Sequence, residues 1–235
     1  MKMRMVPIVA GLAPIIAIHL CYLIAIQHSL LPGCIPYVEG CVSISATGRY
    51  EPASYLFKAV MLPNSMLLFA YWLLNVAWLR TFEISLGVPA RRYRSIAALG
   101  SGGALFLILY VIFLGSAEPF YEFMRRFGVY LYFALSVFAQ ILLASRSLQL
   151  ATQAGIGSLA LISKWQLALA VAPFALGILN LVLKAALQDS NQAENIIEWI
   201  FALMMQSFFV LSYFSWKLSG FRAEFQVFRR PDVQP

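Results

Sequence analysis

Six long apolar stretches, almost free of charge, constrain this chain more than anything else in it. They run Met5–Gln27, Ala59–Leu79, Ile96–Gly115, Phe127–Ser145, Trp165–Leu183 and Ile196–Trp216, and the fifth carries on to Leu187. About 20 residues is the length an α-helix needs to cross the hydrocarbon core of a bilayer. Backbone amides in lipid must find partners within their own segment, which makes helices the default there. The expectation is an all-α polytopic membrane protein, a six-helix transmembrane bundle, with spans at 5–27, 59–79, 96–115, 127–145, 165–187 and 196–216. A single domain, 1–235, follows, because six such spans leave no room for a separate soluble one.

Composition agrees. Of 235 residues, 61% are hydrophobic and 11% charged, where a soluble domain carries roughly 25% charged residues. The net charge of +7 invites a nucleic-acid reading, but the basic residues are scattered between spans, so no nucleic-acid partner is expected. Their placement sets a topology instead. Lys2, Arg4, Arg80, Arg91, Arg92, Arg94, Arg146, Lys164, Lys217, Arg222, Arg229 and Arg230 fall on one side, twelve of the 17 basic residues. By the positive-inside rule both termini are cytoplasmic, with 28–58 a long extracytoplasmic loop and 217–235 a cytoplasmic tail. The first apolar run exceeds the 7 to 15 residues of a signal-peptide core, so it reads as an uncleaved span.

The first outer loop is the longest connection, and long loops in compact proteins tend to be functional. It holds Cys34 and Cys41, which either form a small staple in an oxidising compartment, the favoured reading, or remain free thiols. The inner connection after Leu79 carries Gly87, Pro89 and three arginines, close to anionic headgroups. In the second outer loop Pro119 suits a short interfacial helix, with Glu122 and Arg126 as an i,i+4 pair. In the tail, Phe221, Phe225 and Phe228 form an amphipathic strip beside Arg222, Arg229 and Arg230.

Polar residues inside the spans fall into stripes. Asn64, Tyr71 and Asn75 share one helix face, as do Tyr132, Ser136 and Gln140; Pro173, Gly177, Asn180 and Lys184; and Trp199, Gln206 and Tyr213. Such faces are expected to point into the bundle, as interhelical hydrogen bonds or as the lining of a polar cavity that admits part of a lipid headgroup. Gly100-Ser101-Gly102-Gly103 lacks the Lys and Ser/Thr of a phosphate loop and reads as close helix packing. His19 and His28 lie on opposite faces of one helix, about 13.5 Å apart along its axis, so no metal site is expected. No cofactor and no catalytic residue is assigned. Lys184 and Glu198, at the facing ends of the last two spans, are placed for an ion pair, with Glu194 as a competitor.

The outer-loop run Ser43-Ile44-Ser45-Ala46-Thr47-Gly48-Arg49-Tyr50-Glu51-Pro52, then Tyr55-Leu56-Phe57, with Glu198-Trp199 in the last span, resembles the DRAM/Sfk/Frag family of six-span membrane proteins. That family includes autophagy modulators and factors that remodel the lipid of GPI anchors. Ala46 stands where the family often has Asp, and Glu51 where Pro is common. The resemblance implies a lipid-related role without an agreed catalytic chemistry. Together with the stripes it suggests an outer-face ligand site of Ser43, Ser45, Thr47, Gly48, Arg49, Glu51, Lys184, Glu198 and Trp199. Arg49 there holds a phosphate or pairs with Glu198, and Gly48 provides a tight turn; the competing reading is a structural plug. The intramembrane polar residues beneath are His19, Asn64, Asn75, Gln140, Asn180 and Gln206. Three functions follow: lipid binding or regulation without turnover, with membrane lipids and a membrane protein as partners; lipid remodelling, with Glu198 or His19 as acid/base; and small-solute transport.

Overall fold

The computed structural model describes residues 3–116, 118–186 and 191–222, without the side chains of 180, 181 and 183–186. Its helices are α1 (Val6–Gln27), α2 (Pro36–Glu39), α3 (Ile44–Thr47), α4 (Ala53–Ser85), α5 (Arg94–Ile112), α6 (Pro119–Gln153), α7 (Gly157–Ala186) and α8 (Asn191–Leu218). Six of them are long and apolar enough to cross a membrane, and the described residues contain no strand.

The six long helices close into a ring. Each packs against two neighbours, in the order α1, α4, α5, α6, α7, α8 and back to α1. The first helix shows why. Ala10, Ala17, Cys21 and Ala25 are at most 2% exposed and line its inward face. Leu12, Ile16, Leu20 and Leu23 point outward and are at least 41% exposed. Small residues inside and large apolar ones outside suit a helix that gains close approach to its neighbours and loses nothing by facing acyl chains. The glycines work the same way. A Cβ on Gly100 would sit 2.2 Å from the Trp72 ring, and one on Gly103 would sit 2.7 Å from Ser136 Oγ. The Gly100–Gly103 run is therefore the packing seam between α5 and both its neighbours.

Two helices outrun the bilayer. At 33 and 35 residues, α4 and α6 are each about 50 Å long, against about 30 Å of hydrocarbon. The helix that carries the second span thus begins before it, at Ala53, and continues past it to Ser85. Pro119 does open a helix, after an extended Glu118, as a residue before proline prefers. That helix is not a separate interfacial one; it runs unbroken into the fourth span. The Glu122–Arg126 pair forms on it at 2.5 Å. In the tail, only Phe221 and Arg222 of the expected amphipathic strip fall within the described residues, and Phe221 is packed on Trp216.

Polar groups inside the ring are mostly satisfied at the end that carries both termini, where Arg4 Nε donates to Phe221 O at 3.1 Å. Tyr71 OH meets Ser212 Oγ at 2.7 Å, Gln166 Nε2 donates to Ser212 Oγ at 2.9 Å, and Ser215 Oγ donates to Gln166 Oε1 at 3.2 Å. Trp216 Nε1 donates to Asn75 Oδ1 at 3.1 Å. This network ties α4, α7 and α8 across the ring. On α7 the inward polar groups are Ser163 and Gln166; Gly177, expected on an inward stripe, is exposed.

At the same end lies a buried ion pair. Glu83 is fully buried and accepts hydrogen bonds from Arg146 Nε at 3.2 Å and, more closely, from Arg146 Nη2 and Tyr93 OH. Arg91 N donates to its second oxygen at 2.7 Å, and Arg146 Nη1 donates to Gln149 at 3.0 Å. Burial and the acceptor Glu83 push the Tyr93 hydroxyl up to about 12, which keeps it a donor. Removing one partner of such a pair strands the other charge, at a cost of about 3–5 kcal/mol. We expect Glu83→Leu and Arg146→Met each to lower the melting temperature of the purified protein sharply. The double variant should recover much of the loss, and additive losses in a double-mutant cycle would refute the coupling.

Candidate functional site

At the opposite end, the 28–58 loop folds over the mouth of the ring. Pro36 starts the single-turn α2, and Gly40 ends it in the left-handed region at φ 62°. The loop is stapled by a Cys34–Cys41 disulfide, and Tyr22 OH accepts from Cys34 N and donates to Pro32 O, both at 2.9 Å. Ser43 caps α3, its Oγ accepting from Ala46 N at 3.3 Å.

The first turns of α8 hold this loop. Asn195 Nδ2 donates to Gly40 O at 2.8 Å and Trp199 Nε1 to Val42 O at 2.9 Å. The Glu198 carboxylate faces the backbone N–H groups of Ile44 and Ser45. Those are the first amides of α3, which have no partner within the helix. Glu198 and the Ser43 cap thus supply from outside what a one-turn helix cannot supply itself. Contact is close: a Cβ on Gly40 would come within 2.1 Å of Gln192 O. Residues 195, 198 and 199 are offset by three and four, one face of a helix.

Beneath the loop is a cavity of about 50 Å3. Apolar side chains of α1, α4, α5, α6 and α8 line most of it, among them Ile18, Phe57, Met61 and Leu107, and Tyr37 and Ile44 roof it from the loop. Its polar members are Tyr110, Tyr132, Glu198 and Gln206. Gln206 Nε2 donates to Tyr132 OH at 3.4 Å, while Gln206 Oε1 is buried without a partner. Leu203 lines the cavity and is also 40% exposed on the outside of the ring. Arg49 lies in the loop just before α4, and Arg125 in the first turns of α6, where it pairs with Glu122 at 3.6 Å.

Beside it, His19 Nδ1 donates to Ile15 O at 2.7 Å, which leaves Nε2 to accept from Tyr37 OH at 3.2 Å. Burial holds the Tyr37 hydroxyl above the ordinary tyrosine range, so it remains the donor. The two rings stack on each other, and each meets Trp199 edge to face.

The residues expected at an outer-face site divide. Ser43, Ser45, Glu198 and Trp199 come together at the loop-to-α8 junction. Thr47 is buried and its hydroxyl donates to Ile44 O at 2.7 Å. Arg49 Nη2 donates to Ser45 Oγ at 3.4 Å, not to Glu198. Glu51 is exposed. Gly48 has φ −104°, open to any residue; it is required because a Cβ there would meet the Phe57 ring at 2.4 Å. The side chains of Asn180 and Lys184, and with them the Lys184–Glu198 pair, lie outside the described residues. Among the deeper polar residues, Asn75 is fully paired and Gln140 Nε2 donates to Met205 O at 3.2 Å. Gln140 Oε1 and both side-chain atoms of Asn64 have no partner. The described residues contain no cluster able to hold a metal ion. The sequence reading missed Gly40 and Asn195, although the offset of Asn195 from Glu198 and Trp199 was available.

These features define an integral, multi-pass helical membrane protein whose mouth is closed by a loop clasped to its last helix. The family model described as the Frag1/DRAM/Sfk1/Cwh43P N-terminal domain matches residues 2–218, and the chain belongs to that family. No curated protein and no solved structure matches it.

If α8 is the clasp, loosening it should expose the loop before it unfolds the ring. Trp199→Phe removes one hydrogen bond and leaves Val42 O unpaired, a loss of about 1–3 kcal/mol. Gly40→Ala adds backbone strain to a collision. Hydrogen exchange at residues 40–49 should accelerate in both, more in Gly40→Ala, while exchange in the spanning helices stays slow. Equal acceleration throughout the chain would refute a local clasp.

Proposed function

We propose that this protein binds a membrane lipid without turning it over. In this reading the cavity under the outer loop takes a hydrocarbon segment, and Arg49 and Arg125 attract an anionic headgroup above it. The observation that carries the proposal is a mostly apolar cavity that contains a buried, unpartnered acceptor, Gln206 Oε1. A buried polar atom left without a partner costs about 1–3 kcal/mol, so an occupant that supplies a donor there is favoured. At about 50 Å3 the space is far below the roughly 300–1,000 Å3 of whole-ligand sites. It therefore receives part of a lipid rather than an entire headgroup, and Leu203 marks where that part enters from the bilayer. His19 and Glu198 act as structural ties in this reading, one to Ile15 and Tyr37, the other to the amides of α3.

Ala202 lines the cavity and is 9% exposed. Ala202→Phe should fill the space and cut lipid co-purification several-fold, as read by native mass spectrometry. Gln206→Leu should change which lipid is retained more than how much. Undiminished retention of the same lipids in Ala202→Phe would refute the site.

The basic-residue distribution supports placing the termini in the cytoplasm and the clasped loop outside. Glu51 is exposed, so a membrane-impermeant maleimide should label Glu51→Cys in intact cells. Labelling only after permeabilisation would reverse the orientation.

A further inference from the structure

The termini end of the ring carries a second feature, independent of the outer cavity. Two adjoining clefts of about 250 and 330 Å3 flank Arg92 and Tyr93. Arg80 and Arg94 line the first, Arg91 the second, and Arg92 both. All four arginines are exposed. Among the described residues none of their side chains is ion-paired, since the ion pairs involve Arg125, Arg126 and Arg146. Glu83, the acid that holds this segment, is already neutralised by Arg146 and accepts from Tyr93. It fixes the segment in place, through Arg91 N, without cancelling its charge.

Two further facts narrow the ligand. Here α5 begins with no side chain capping its first turn, and Arg94, Ser95 and Ile96 of that turn line the clefts; such a helix start favours an anion. Membrane-spanning helices add apolar wall to both, Val76 of α4 in the first cleft and Ile96 of α5 and Leu142 of α6 in the second, where Ser95, Ser145, Arg146 and Gln149 supply the polar remainder. Leu142 is itself 42% exposed. A cationic rim on a hydrocarbon wall fits a molecule with a phosphate at one end and an acyl chain alongside. Arginine forks pair well with phosphate oxygens.

We propose that this cleft binds the phosphate-bearing headgroup of an anionic phospholipid from the leaflet at the termini end. It does so whether or not the outer cavity holds a lipid.

The test uses the full chain in phosphatidylcholine nanodiscs doped with phosphatidic acid, with bound lipid read by native mass spectrometry. Arg92→Gln/Arg94→Gln should weaken phosphatidic acid binding roughly tenfold or more, as expected for two basic residues at a charged surface. It should also flatten the salt dependence of binding. Arg126→Gln, at the other end and paired with Glu122, should leave both unchanged. The exposed arginines carry no packing, so the melting temperature should hold; should that pair misfold, Arg80→Gln/Arg92→Gln reads the same loss from the α4 side. Equal binding by wild type and the arginine variants would overturn the proposal, as would an equal loss in Arg126→Gln. Displacement of the lipid by inorganic phosphate alone would overturn the assignment to a lipid. Ala202→Phe should retain this binding, which separates failure here from failure of the outer cavity.

Discussion

The Glu198 carboxylate, set against the first amides of α3, is the contact on which the loop end of the molecule depends. A one-turn helix cannot satisfy its own N-terminal N–H groups, and a carboxylate facing an apolar cavity cannot remain without donors. Each solves the other's problem. Trp199 and Asn195 then fix the backbone on the preceding side of the loop, and the disulfide limits how far the loop can move. Without this clasp the cavity would have no roof, because Tyr37 and Ile44 reach it only from the loop.

How far the sequence reveals this depends on the kind of information each element carries. The six helices were legible because length and hydropathy are local properties. The inward faces were legible too: Tyr71, Asn75, Tyr132, Ser136, Gln140 and Gln206 are all buried as their helical spacing requires. Helix ends were harder. Hydropathy locates hydrocarbon, and α4 and α6 continue past it as ordinary helix, so Ala53 and Pro119 lie well outside the apolar runs they belong to. The Glu83–Arg146 pair escaped notice for the same reason, since both residues sit in those overshoots and their sequence separation gives no hint of contact.

The motif loop shows a different limit. Ser43 to Pro52 stands out by resemblance, and resemblance marks residues without saying what they touch. Their hydroxyls and charges suggest a ligand, yet Ser43 and Thr47 bond within α3, and Gly48 is fixed by the Phe57 ring rather than by its backbone angles. The partner that matters comes from more than 150 residues away, a distance at which spacing arguments carry no information. Only the shared face of Asn195, Glu198 and Trp199 was within reach, and it required knowing that the loop lay opposite.

The two ends of the ring treat buried polarity in opposite ways. Toward the termini, Tyr71, Asn75, Gln166, Ser212, Ser215 and Trp216 bond one another, and Glu83 is met by Arg146, Tyr93 and a backbone amide. That end resists change, because every substitution there strands a partner. Toward the loop, Gln206 keeps an acceptor free beside an apolar cavity. Free polar atoms destabilise a fold unless something else meets them. The rigid end therefore gives the ring a fixed frame, and the acceptor left free at the loop end is what the proposed lipid would meet.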